Sequence, residues 1–283
     1  MTMSPPLLYL TQASAALTHV VEVVNEFGEK YPLAIPAERA LTVYVDKREL
    51  ITLMTLGARP EWLVLGYLLN QRLVTGLADI ASITVDWEVG AAAVKTRSGI
   101  ADLEQKTARR VVTTGCGQGS VFGDMMEGVD QLTLPDTRIT QATLYAVVNA
   151  IRLQQSVYKT AGSVHGCALF AGEEMLLFVE DVGRHNAIDT IAGWMALNGQ
   201  HSAGKLLYTT GRLTSEMVVK AAQMGIAVVV SRSGMTQMGH SVAQRLGLCA
   251  IGRATHKRFV CFSATERLQL QPELAGTPLR AAA

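Results

Sequence analysis

Cys116 stands in the stretch VVTTGCGQGS (111–120), flanked by Gly115, Gly117 and Gly119 just after a short β-branched run. Glycines admit positive φ angles, so successive backbone N–H groups can point into one concavity that favours an anion. That anion is either a phosphate or the cysteine's own thiolate, because oriented amides and nearby cations lower a thiol pKa from its ordinary value of about 8.5. The plainer reading is a cysteine buried in a turn, as cysteine often is; the three glycines supply no side chains to bury it with. The spacing Gly115-x-Gly117-x-x-Ser120 also approaches a dinucleotide phosphate loop, but the following VFGDMMEG opens no amphipathic helix.

Three further stretches carry polar chemistry where a strand meets a helix or loop. In EDVGRHNAIDTIAGW (180–194), Arg184, His185 and Asn186 follow Gly183 at a strand end, the position that ligands of α/β proteins favour. Against a ligand site stands a structural role, with Asp181 as a cap and Asp189 paired or solvated. TTGRLTSEM (209–217) sets Arg212 and Thr214 before a helix, suited to an oxyanion or to capping alone. GRATHKR (252–258) is a short basic loop that can hold a phosphate through Arg253, His256, Lys257 and Arg258, or serve as a solvated face. His165, on a strand in HGC, matters chemically only if the fold brings it beside Cys116. Zinc is not expected: Cys116, Cys167, Cys249 and Cys261 form no CxxC, and neither close-spaced ligand pairs nor the H-x-E and P-C-x-x-C of zinc deaminases occur.

These residues need a scaffold, and the chain is long enough to build one. Its 283 residues, 49% apolar and 17% charged, belong to a well-packed globular protein of one large domain or two smaller ones. A net charge of +1 gives no global pull towards nucleic acid or acidic membranes, and no apolar run reaches bilayer length. The reduced-thiol pattern and the lack of a basic signal-peptide start point to the cytoplasm. Residues 1–18 read as a partly ordered tail and 19–110 as an N-terminal α+β portion. The latter contains a strand–turn–strand over 40–50 turning at Asp46–Lys47–Arg48, a helix over 59–74 with Pro60 first, and a strand over 81–89. A polar, basic stretch at 97–110 marks the boundary. Residues 111–283 read as α/β: a helix capped by Thr140 with Leu144, Val147, Val148 and Ile151 inward, a hairpin around Gly172, then helices 185–197, 214–224 and 236–246. These alternate with strands at 205–209, 226–231 and 248–252. Gly199, Gly225 and Gly247 fall where helix C-caps belong, and RFVCF (258–262) suits an edge strand.

Taken together, TGCG (114–117), EDVGRHNAID (180–189), SEMVVKAAQMGI (215–226) and LGLCAIGRATHKRFVCF (246–262) resemble the formate dehydrogenase accessory sulfurtransferases, the FdhD family. YPLAIP (31–36) and GYLL (66–69) extend the similarity over most of the chain. The resemblance implies a cytidine-deaminase-like three-layer α/β core without its zinc, and a smaller N-terminal α+β portion. It implies a carrier that takes sulfur from a cysteine desulfurase as a Cys116 persulfide and passes it to the molybdenum bis(molybdopterin guanine dinucleotide) cofactor. Formate dehydrogenase is the implied client and a homodimer the implied assembly. By position after AIG, Arg253, Ala254, Thr255, His256, Lys257 and Arg258 are the implied cofactor-binding stretch; strand-end placement adds Arg184, His185 and Arg212. Family members commonly carry C-G-x-C in the loop, whereas this chain has Cys116-Gly117-Gln118-Gly119, so the second loop thiol is missing. A single-cysteine carrier is then expected, with Cys167 a candidate second thiol. The alternatives are a cofactor-holding chaperone without sulfur transfer and, on the glycine pattern alone, a nucleotide-dependent oxidoreductase.

Overall fold

The computed structural model describes residues 8–100 and 131–275. In chain order the strands are β1 (Tyr9–Leu10), β2 (Thr18–Val24), β3 (Lys30–Pro36), β4 (Arg39–Val45), β5 (Arg48–Thr55), β6 (Ile80–Asp86), β7 (Ala91–Thr96), β8 (Ile139–Thr140), β9 (His165–Ala171), β10 (Glu174–Asp181), β11 (Lys205–Thr209), β12 (Val228–Ser231), β13 (Cys249–Thr255), β14 (Arg258–Ser263) and β15 (Leu268–Gln269). The helices are α1 (Pro60–Asn70), α2 (Gln141–Leu153), α3 (Val157–Ala161), α4 (Arg184–Leu197), α5 (Ser215–Gln223) and α6 (Gln237–Leu246). Among the described residues no helix is long and apolar enough to cross a membrane. The protein is a mixed α/β chain of two compact units. One comprises Met1–Met125, Gln155–Gly166 and Val179–His201, the other Met126–Gln154, Cys167–Phe178 and Ser202–Ala283.

In the first unit a five-stranded sheet runs β1-β6-β7-β4-β5. The β4–β5 turn falls at Asp46 and Lys47, both with positive φ (48° and 72°), the geometry that a two-residue hairpin turn needs to match strand twist. The Asp46 carboxylate fixes the turn by accepting from the N–H and hydroxyl of Thr96. Helix α1 begins with Pro60, whose fixed φ suits a first helical position, and carries Glu61 in its first turn. Leu63, Val64, Leu65 and Leu68 of α1 join Leu41, Val43, Leu53, Ile83 and Val94 of the sheet in one core. The expected tail is anchored from Tyr9 onwards: β1 pairs parallel with β6, and the Ala13 N–H donates to Glu61 at 2.7 Å. The antiparallel ribbon β2–β3 has no counterpart in the sequence reading. Both of its strands are largely exposed, so they lack the inward/outward alternation by which a half-buried strand is recognised.

Helix α4 was expected within a 111–283 core, yet it groups with the first unit, and the reason is a pair of glycines. A methyl group at Gly66 of α1 would fall on the Asp189 carbonyl of α4, and one at Gly193 of α4 on the Trp62 carbonyl of α1. The two helices therefore meet backbone to backbone. Asn70 closes the contact by donating to the buried Asp189 carboxylate at 2.7 Å.

The second unit is built on a six-stranded sheet, β10-β9-β11-β12-β13-β14. β11, β12 and β13 are parallel, as strands joined by single helices require, while β9 and β14 run antiparallel beside them. Thr140 caps α2 by accepting from the Thr143 N–H, and Leu144, Val147 and Val148 are buried as the periodicity requires. They pack with Phe170, Leu206, Tyr208, Val228, Val230 and Ile251. Gly247 takes the left-handed conformation that ends α6 (φ 61°), and β14 is the expected edge strand.

Gly193→Ala is expected to lower unfolding stability by about 3 kcal/mol or more, because backbone rather than a flexible side chain must yield. Gly76, in extended backbone with open space where a Cβ would sit, is the control: Gly76→Ala is expected to stay within about 0.5 kcal/mol. Urea unfolding of both variants checks this.

Candidate functional site

At the start of α4, in the first unit, Asp181 and Asn186 of DVGRHNAID form a hydrogen-bond cage with the end of β5. Asp181, at the end of β10, is 3% exposed. Its Oδ2 accepts from the Thr55 hydroxyl (2.5 Å) and the Leu56 N–H (3.1 Å), and its Oδ1 from the Gly183 N–H (3.1 Å) and Asn186 Nδ2 (2.8 Å). Asn186 also donates to the Met54 carbonyl, and the Thr55 hydroxyl accepts from the Gly57 N–H. Burial pushes the Asp181 carboxyl above its ordinary value, and the four donors work against that push. Neighbouring Glu180 takes the N–H groups of Val157 and Tyr158 at the start of α3, with burial again raising its carboxyl. Asp181, Asn186 and Asp189 thus hold elements together. Arg184 and His185 are buried in the first turn of α4, 6% and 4% exposed.

In the second unit the ends of three adjacent parallel strands are laced to one another. Thr209 accepts from the Gly211 N–H, and Ser231 donates to the Gly211 carbonyl (2.6 Å) while accepting from the Ser233 N–H. The Leu213 N–H donates to Gly234, and the Arg253 N–H to Ser233. Each strand end presents an exposed arginine: Arg212 after β11, Arg232 after β12 and Arg253 in β13. Arg232 is absent from the sequence-based site, although SRSGMTQ (231–237) follows its strand with an arginine, a glycine and a threonine as TTGRLTS (209–215) does, with arginine and glycine in the opposite order, and that likeness would have revealed it.

Arg253 also opens onto a cleft of about 650 Å³ in the second unit, lined by Thr255, Lys257 and Arg258 of the β13–β14 hairpin and by Gln141 and Tyr145 of α2. Tyr145 packs edge-on against Phe259, with ring centroids 6.2 Å apart. Its hydroxyl donates to the Lys257 carbonyl (3.1 Å) and accepts from Gln141 (2.8 Å), so helix and hairpin are tied at the cleft wall. His256 adopts left-handed backbone (φ 51°) in the turn of the basic hairpin, and Arg253 does so (φ 53°) where the β13–β14 register is irregular. Four of the six hairpin residues therefore share one cleft. Ala254 instead packs its methyl into the core, and His256, though exposed, is not part of the lining.

Such a cleft, cationic on one side and aromatic on another, suits an anion attached to a planar group. Cys116 lies outside the described residues. Cys167 is fully buried and donates its S–H to the Thr209 hydroxyl at 3.2 Å, so it offers no surface for thiol exchange. His165 is half-buried at the first position of β9.

A mixed α/β scaffold with a basic hairpin cleft and a caged DVGRHNAID junction defines the class of protein. The chain matches the FdhD/NarQ family over residues 36–269 and belongs to that family. It is 28% identical over 262 residues to the sulfur carrier protein FdhD of Halalkalibacterium halodurans, covering 92% of this chain and 97% of that one. It is 30% identical over 234 residues to the sulfur carrier protein FdhD of Bacillus subtilis, covering 82% and 89%. A crystal structure described as a formate dehydrogenase accessory protein, from Desulfotalea psychrophila, superposes with a TM-score of 0.72 at 25% identity, covering 89% of this chain and 98% of that one.

Removing the cage acceptor strands the buried Leu56 N–H, the part-buried Gly183 N–H and one bond of Asn186. Asp181→Ala is therefore expected to cost about 3 kcal/mol of unfolding stability. Thr55→Val, which removes one donor to Asp181 and the acceptor of the Gly57 N–H, is expected to cost about half of that or more, read by the same urea unfolding.

Proposed function

We propose that this protein is a sulfur carrier that delivers sulfur to the molybdenum cofactor required by formate dehydrogenase. The observation that carries the reading is similarity along nearly the whole length of sulfur carrier proteins, centred on a family match from residue 36 to residue 269. Cys116 is the carrier thiol. Its thiolate attacks the outer sulfur of a persulfide on a cysteine desulfurase, the S–S bond of the donor breaks, and the donor cysteine leaves as a thiolate. Cys116 then holds one extra sulfur, and handing it on returns Cys116 as a thiolate. One nucleophile suffices to hold one sulfur, so the single-cysteine loop is compatible with carriage.

The bound substrate in this reading is the bis(molybdopterin guanine dinucleotide) cofactor. In the second unit, Arg253, Lys257 and Arg258 supply charge for a phosphate at the hairpin cleft, and Tyr145 and Phe259 supply aromatic surface beside it. Arg212 and Arg232 extend the basic character along the strand ends. The reading includes Arg184 and His185 as cofactor-side residues of the first unit, a cytidine-deaminase-like core, cytoplasmic location and a homodimeric assembly.

Intact-protein mass spectrometry after incubation with a cysteine desulfurase and cysteine tests the chemistry. Wild type is expected to gain the mass of one sulfur, and Cys116→Ala none. No gain on wild type that still binds guanine nucleotides would make the protein a cofactor-holding chaperone instead. Cys167→Ser is expected to load sulfur as wild type does. Arg258→Ala is expected to weaken GDP binding roughly tenfold, the loss of one charge-assisted contact, while leaving sulfur loading on Cys116 unchanged.

A further inference from the structure

Cys249 and Cys261 are twelve positions apart in sequence, yet their sulfurs lie 3.8 Å from each other on the neighbouring antiparallel strands β13 and β14. Both are free thiols. Cys249 is fully buried and Cys261 is partly exposed, so a reagent from solvent meets Cys261 first. The strand ladder is irregular between them: Ala250 pairs with Ser263 and Ile251 with Cys261, which leaves Phe262 as an extra residue on β14. A bulged strand bends more readily than a regular one, and a disulfide requires the sulfurs to close to about 2.05 Å. The proton is shared unequally: hydrogen bonding between the two thiols holds Cys261 below its ordinary value and Cys249 above it. Cys261 is therefore the stronger candidate for thiolate, and it is also the accessible one.

We propose that Cys249 and Cys261 form a reversible dithiol–disulfide pair, with Cys261 attacking and Cys249 resolving, oxidised by low-molecular-weight disulfides. The Cys261 thiolate attacks one sulfur of the disulfide R–S–S–R, forming Cys261–S–S–R and releasing one RS⁻. Cys249 then loses its proton to that thiolate or to water and attacks the Cys261 sulfur, releasing the second RS⁻. The two cysteines are oxidised by two electrons and the small disulfide is reduced to two thiols. Contact with the Cys261 sulfur and burial both keep the proton on Cys249, and the first of these weakens once Cys261 is in a mixed disulfide. The resulting link staples β13 to β14, the two strands whose hairpin carries Arg253, Lys257 and Arg258 to the cleft. This site is separate from Cys116 and from the sulfur loading proposed there.

The test is to incubate the full-length protein with glutathione disulfide and map its tryptic peptides without reduction. Arg245, Arg253, Arg258 and Arg267 place the two cysteines in separate peptides, LGLCAIGR (246–253) and FVCFSATER (259–267). The expected result is these peptides joined, at their summed mass less two hydrogens, exceeding every other cysteine pairing and split by dithiothreitol. Cys249→Ser is expected to stop at a glutathione adduct on Cys261, and Cys261→Ser to leave Cys249 unmodified. A wild-type protein that carries glutathione on Cys261 without the link overturns the proposal, as does one in which neither cysteine reacts. The wild-type map decides alone if a variant fails to fold.

Discussion

The contact on which the first unit depends is the approach of α1 and α4 at Gly66 and Gly193. Helices usually pack with side chains between them, at interaxial distances of 8–10 Å. Here each glycine lies under a carbonyl of the opposite helix, and no side chain separates the two backbones at those points. That closeness brings Asn70 within reach of Asp189 and places the first turn of α4 beside the end of β5, where Asp181 and Asn186 engage Met54, Thr55 and Leu56. A segment more than a hundred residues further along the chain is thereby made part of the N-terminal unit.

The second unit solves a different problem. Parallel strands end with unpaired backbone groups at the edge where ligands bind, and such groups must be satisfied without filling the edge with bulk. Thr209 and Ser231 do this with small hydroxyls, each turning its own loop back through a short hydrogen bond, while Leu213, Gly234 and Arg253 lace one loop to the next. Because the lacing uses backbone and hydroxyl groups, the long cationic side chains of Arg212, Arg232 and Arg253 remain directed to the surface. Exposed positive charge is thereby gathered along one edge of the sheet.

Much of this was legible in the residues. Pro60, Thr140 and Gly247 mark their helix ends because their backbone and capping preferences are local. Strand–helix alternation from 205 to 255 betrays the parallel sheet because period and length need no tertiary information. What escaped was non-local. Gly66 and Gly193 look like ordinary weak points of helices until the opposite backbone is seen. Cys249 and Cys261 suggest nothing by spacing, because a hairpin and a bulge, not a motif, bring them to 3.8 Å. The β2–β3 ribbon hides because neither strand has a buried face to impose alternation on its residues.

The DVGRHNAID stretch shows how a recognisable motif can be held together by structural hydrogen bonds. Its length and polarity invite a catalytic reading, and in the sequence Arg, His and Asn side by side after a glycine look like a site. The structure uses its carboxylates and amide otherwise: Asp181 binds four donors, Asn186 reaches two acceptors, and Asp189 holds α1. Groups satisfied in this way are costly to divert to a substrate, since any new partner leaves a buried donor or acceptor unmet. Three of its positions are thus specific for a physical reason independent of chemistry, because Asp181, Asn186 and Asp189 each have a partner distant in sequence and a swap at one strands the other. What the cage supplies is position: it fixes the start of α4 to the end of β5.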